Sequence, residues 1–115
     1  MTKKDDVELF LKNFKTKLGI WNIAYLDGRP KNTQTLADLE IPPYKRTEVV
    51  KSLEIPNYSE GPIEEKMLGG SEMWVFGKKV KKKEIYIKIT MGIPNNAVIC
   101  ISFHIAEHKM KYPFN

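Results

Sequence analysis

The stretch that most restricts the fold is 78–104. Residues 84–90 read as a strand, with Ile85, Ile87, Ile89 and Met91 falling on one side and Tyr86, Lys88 and Thr90 on the other. Strict alternation of this kind marks a half-buried strand. Gly92-Ile93-Pro94-Asn95-Asn96 has the length and turn chemistry of a hairpin loop. Residues 97–104 then form the return strand, with Ala97, Ile99, Ile101 and Phe103 on one side and Val98, Cys100, Ser102 and His104 on the other. A loop of that length pairs Met91 with Ala97, Ile89 with Ile99 and Ile87 with Ile101. The two aliphatic rows share the core face, and parity brings Tyr86, Lys88, Ser102 and His104 together on the opposite one. A slip of one residue would bury a lysine, whereas a slip of two keeps the parity and changes only the partners. A phenol, an ammonium, a hydroxyl and an imidazole on one rigid surface make a candidate site. They are also what the wet side of an antiparallel sheet looks like.

At 115 residues the chain is expected to be one domain, 1–115, with a real core. No apolar run reaches membrane-spanning length and no secretory signal opens the chain, so a cytoplasmic location and no membrane partner are expected. A single cysteine, Cys100, permits no internal disulfide. With two histidines and no Cys-x-x-Cys, a structural metal is not expected, and no cofactor-binding fingerprint is present. The net charge of +5 is unevenly placed: residues 1–73 carry 11 Lys and Arg against 12 acids, while residues 74–115 carry eight Lys against Glu84 and Glu107. The excess positive charge therefore travels with the hairpin. That suits a polyanion such as RNA, although Lys81-Lys82-Lys83 also reads as an ordinary soluble turn.

Residues 5–18 read as a helix with Val7, Phe10, Leu11, Phe14 and Leu18 as its buried stripe and Gly19 as its stop. A strand over 20–26 follows, closed by Asp27-Gly28, and then a basic loop, Arg29-Pro30-Lys31-Asn32, whose arginine can reach a phosphate. Thr35-Leu36-Ala37-Asp38 resembles a capping-box start of a short helix to about 39. Pro42-Pro43 breaks it, and 44–53 form another helix with Val49, Val50 and Leu53 inward, ended by Pro56. Residues 57–71 look irregular, with a turn or two of helix over 63–68. A third strand covers Met73–Val80, and a three-residue turn, Lys81-Lys82-Lys83, would place Lys78 opposite Tyr86 on the polar face unless Gly77 marks a bulge. The aromatic tail, Tyr112-Pro113-Phe114, is expected to pack back on the sheet.

Leu36-Ala37-Asp38-Leu39, the helix over 47–53, Asn57-Tyr58-Ser59, Trp74, Ile85-Tyr86-Ile87-Lys88-Ile89-Thr90 and Ile101-Ser102-Phe103-His104 together resemble the MqsR family of RelE-like mRNA interferase toxins. The hairpin looks like that family's Val-Tyr-Leu-Lys-Ile-Thr and Val-Ser-Phe-Lys. The resemblance runs from about residue 10 to 104, and the end of the chain looks like a divergent branch. It implies an α+β fold, a small antiparallel sheet packed against N-terminal helices. It also implies an endoribonuclease that works without metal or cofactor, its ribose 2′-oxygen attacking the adjacent phosphate. Tyr86 matches an active-site tyrosine, Lys88 a lysine on the same strand, and His104 stands where the family has a catalytic lysine. An imidazole holds or releases a proton near neutral pH, as general acid–base work requires. Ser59 replaces a family lysine and Val75 a family glutamine; Lys78 or Lys79 is the substitute cation expected. Tyr58, Arg29, Lys79, Lys81, Lys82 and Lys83 are the expected RNA contacts. The partners implied are an mRNA, on the ribosome or free of it, and a cognate antitoxin, with no direct contact to DNA. Missing family residues leave open a non-catalytic RNA- or antitoxin-binding domain on the same fold.

Overall fold

The computed structural model describes every residue except 65 and 67–69. Among the described residues the chain is α+β, three α-helices on a five-stranded sheet: α1 (Lys4–Trp21), β1 (Ile23–Tyr25), α2 (Pro30–Asp38), α3 (Pro43–Lys51), β2 (Tyr58–Ile63), β3 (Met73–Val80), β4 (Lys83–Thr90) and β5 (Val98–Ile105). A single 3₁₀ turn, Ile55–Asn57, links α3 to β2. The strand order is β1-β5-β4-β3-β2. Neighbouring strands from β2 to β5 run antiparallel, but β1 runs parallel to β5, so the sheet is mixed rather than antiparallel throughout. No helix among the described residues is long and apolar enough to cross a membrane.

The core lies between one sheet face and the helices. All five apolar positions read from the α1 stripe are buried, and they meet Ile85, Ile87, Ile89 and Phe103 from the sheet and Val49, Val50 and Leu53 from the α3 region. Phe10 stacks on Trp74 with ring centroids 4.6 Å apart, which fastens the middle of α1 to β3. Gly19 does not end α1. The helix continues to Trp21 and is closed by Asn22 at φ 67, whose N–H donates to the Leu18 carbonyl. Ile20 and Trp21, expected in a strand, are therefore exposed on the last helical turn.

Three other local readings change. The basic segment at 29–32 is not a loop, because Pro30 occupies the first turn of α2, where a missing N–H costs nothing. Thr35 then sits inside that helix rather than at its start. Residues 58–63 form β2, an edge strand whose Gly61 and Pro62 suggest a loop in sequence; an edge tolerates both, and two register shifts accommodate them. The helical turns expected at 63–68 begin on the end of β2, and 65, 67 and 68 lie outside the described residues.

The turn from β3 to β4 holds only Lys81 and Lys82, since Val80 pairs with Lys83. Both residues have positive φ, 50° and 70°, the geometry of a two-residue hairpin turn that normally selects Asn-Gly. Without that signal the sequence suggests one residue too many. The correction reverses parity along β3: Lys78 faces Ile85 on the helix side, and Gly77 faces Tyr86.

Candidate active site

The β4–β5 pairing decides the site. Tyr86 pairs with His104 and Lys88 with Ser102, two residues from the register expected, so the four polar side chains do share a face. The register then shifts by one between Lys88 and Ile89, which pairs with Cys100. Ile101 is the extra residue of this β-bulge. Before it, Val98 and Cys100 point into the helix-side core; after it, Phe103 does. The expectation for 97–100 was therefore inverted, while that for 102–104 holds. Uninterrupted alternation from Val98 would have carried Ser102 and His104 into the core. Burial pushes the Cys100 thiol up to about 12, so it serves as core rather than as a nucleophile.

Tyr86 and His104 stack with ring centroids 5.1 Å apart and an interplanar angle of 14°. They, Lys88 and Ser102 form the floor of a cavity of about 880 Å³. One wall is the start of α2, including Arg29 and Lys31; another is Ser59 and Glu60 of β2; the third is the chain after β5, including Glu107, Lys109 and Lys111. The tail reaches its place because β3 has a glycine where it crosses: a Cβ on Gly77 would lie 2.2 Å from the Tyr112 hydroxyl. That hydroxyl donates to Glu84 Oε2 at 2.7 Å, and Phe114 stacks on Tyr58 at 5.4 Å. The aromatic tail thus packs on the sheet as expected, and brings the residues before it to the cavity.

The His104 Nδ1 lies 2.9 Å from the Ile105 carbonyl oxygen. A carbonyl only accepts, so Nδ1 carries the hydrogen and the neutral ring keeps its free lone pair on Nε2. Desolvation pushes the Tyr86 phenol above its ordinary value, and the Glu60 carboxylate adds to the shift. Desolvation holds the Lys88 ammonium below its ordinary value, Arg29 lowers it further and Glu60 opposes both. Lys31 is bound to Glu107 at 2.8 Å. Among the described residues the other ion pairs are Lys45–Glu48, Arg46–Asp27 and Lys66–Glu64, none of which involves Arg29 or Lys88.

Of the residues expected to act, His104, Tyr86, Lys88 and Arg29 converge on this cavity. Lys78 does not: it lies on the helix side and its Nζ donates to Ser52 Oγ at 2.7 Å. Tyr58 is a core residue, 5 % exposed, with its hydroxyl donating to the Gly61 carbonyl. Lys81 Nζ donates to the Leu39 carbonyl at 2.8 Å, where it meets the carbonyl end of α2. Lys82 and Lys83 are exposed at the same turn, and Lys79 pairs with Glu84 beyond the cavity lining. The lysine cluster therefore sits at the β3–β4 turn, outside the cavity lining. Beside Lys88, the cations at the cavity come from the start of α2 and from the tail, including Lys109 and Lys111, whose place beside the sheet no local pattern reveals. Glu60 also stands at the cavity, which the irregular look of its segment in sequence does not suggest. Val75 is wholly buried, so nothing replaces the family glutamine from that position. Among the described residues no three His, Cys, Asp or Glu side chains cluster as a metal site would require.

Comparison of the chain with protein-family models, curated proteins and solved structures returns no match.

Proposed function

We propose that this cavity cleaves RNA by internal transesterification, as the resemblance to RelE-like mRNA interferases implies. The observation that carries the reading is the Tyr86–His104 stack on a cavity floor that also holds Lys88. His104 Nε2 takes the proton of a ribose 2′-hydroxyl. The 2′-oxygen forms a bond to the adjacent phosphorus and the bond from phosphorus to the 5′-oxygen breaks. Lys88, held below its ordinary pKa, gives its proton to that leaving oxygen. Tyr86, held above its ordinary pKa, stays protonated and donates a hydrogen bond to a non-bridging oxygen as negative charge develops there. Arg29 pairs with a flanking phosphate. The products are a 2′,3′-cyclic phosphate and a 5′-hydroxyl, and the two side chains exchange protons with water to reset. In the same reading the substrate is an mRNA and the chain is a toxin held in check by a separate antitoxin protein.

The test is incubation of the purified protein with a single-stranded RNA in EDTA. Expected are fragments ending in a 2′,3′-cyclic phosphate. Intact RNA that is nonetheless bound would favour a second reading, a non-catalytic RNA-binding domain. Ser59 supports that alternative, because it lines the cavity without the cation that the family carries there.

The pH profile carries a second prediction. Lys88 must be protonated to act as the acid, so its deprotonation sets the alkaline limb. Arg29→Ala removes a like charge, raises the Lys88 pKa and moves that limb to higher pH. Glu60→Gln removes an opposite charge and moves it to lower pH. Initial rates across pH for the three proteins check the two signs; shifts in the same direction would remove Lys88 from the acid role.

A further inference from the structure

We infer that Asn32 is a positioning residue for His104, acting through the backbone of the β5 bulge; its catalytic consequence rests on the ribonuclease reading above. β1 ends at Tyr25, and the last ladder-like bond to β5 from that side is Leu26 N–H to the Cys100 carbonyl. Beyond it the outer edge of β5 has no strand beside it, and the bulge has turned the backbone groups of Ile101 and Phe103 toward that edge. Asn32 occupies the place of the missing strand. Its Nδ2 donates to the carbonyls of Ile101 at 3.0 Å and Leu26 at 3.1 Å, and its Oδ1 accepts from Phe103 N–H at 3.0 Å. The side chain is 2 % exposed and its bonds to Ile101 and Phe103 are buried, so those two backbone groups would otherwise lack a partner; the Leu26 carbonyl also accepts from Arg29 N–H. Thr35 lies one helical turn along α2 and its Oγ1 accepts from Ile105 N–H at 3.2 Å. Ile105 is also the residue whose carbonyl takes the His104 Nδ1 hydrogen.

The consequence is geometric. The bulge turns Ser102 and His104 out of the core, and one carboxamide bonds on both sides of Ser102. A carboxamide is suited to this because it supplies two donors and an acceptor in one plane. A carboxylate of the same shape keeps the acceptor for Phe103 but sets a negative oxygen against two carbonyls. Loss of the clamp lets the strand relax around Ile101, and displacement of about 1 Å at a reacting group is enough to cost up to about a hundredfold in rate.

The experiment is Asn32→Asp in the full chain, read by imidazole ¹⁵N and ring-proton NMR of His104 and by single-turnover RNA cleavage. Expected is loss of the single Nδ1–H tautomer signature of His104. With it, kcat should fall about ten- to a hundredfold while KM changes little. Thr35→Val, which removes one acceptor from the same edge, is the second variant should the aspartate fail to fold, and shifts the same resonances. Altered His104 resonances in a chain that cleaves no RNA would sustain the positioning role and remove only the ribonuclease reading. Unchanged His104 resonances in the folded variant overturn the inference whatever the activity.

Discussion

His104→Ala is expected to lower RNA cleavage by about 10²–10⁴-fold, the range that removal of a positioned general base produces. The protein should remain folded. His104 is only partly buried and its ring lies on the cavity face, outside the helix-side core. What it contributes to stability is chiefly the stack on Tyr86, about 0.5–1.5 kcal/mol for an aromatic pair of this kind. Circular dichroism and urea unfolding check the second half of the statement, and single-turnover cleavage checks the first. A variant that cleaves as fast as the parent would place the reactive base elsewhere in the cavity. A variant that no longer binds RNA would make the imidazole a contact rather than a base.

Phe103→Ala, one residue earlier, should do the reverse. Its side chain is wholly buried on the opposite face of β5, in the core shared by Ile87 and the helices. Truncating a buried phenylalanine removes its transfer free energy and leaves a cavity, together about 3–5 kcal/mol. For a domain whose total stability is about 5–15 kcal/mol, that is a large fraction. With a urea m-value of about 1–3 kcal/mol/M, the midpoint should fall by roughly 2 M. The fraction that stays folded at low temperature should still cleave, because nothing on the cavity floor has been removed. A midpoint shift below about 0.5 M would show that Phe103 is not the core residue its burial makes it.

The opposite fates of these neighbours come from period-two alternation, and that much is legible in the chain alone. Ile85, Ile87 and Ile89 against Tyr86 and Lys88 can be placed by parity, and the α1 stripe by its helical spacing. Sequence and structure part where the backbone departs from what residue types announce. Lys81 and Lys82 adopt positive φ without glycine or asparagine, so the residue pattern puts Lys78 on the wrong face. The bulge at Ile101 has no glycine or proline to signal it, so simple alternation turns Val98 and Cys100 outward although both are core. β2 carries Gly61 and Pro62, and so reads in sequence as a connection, although Tyr58 is buried in the core.

Local chemistry in the sequence thus determined which residues of β4 could face a ligand, which positions of α1 would be covered, and that the second half of the chain would be basic. Only the tertiary structure decided which cations stand at the cavity. Lys81 is drawn away to the carbonyl end of α2, while Arg29 is brought in because Asn32 and Thr35 bind the free edge of β5. The reason is physical: alternation and helical spacing are properties of neighbours in the chain. The hydrogen bonds that Asn32 makes on both sides of Ser102 join atoms about seventy residues apart, and they form only where a bulge has left backbone groups in need of partners.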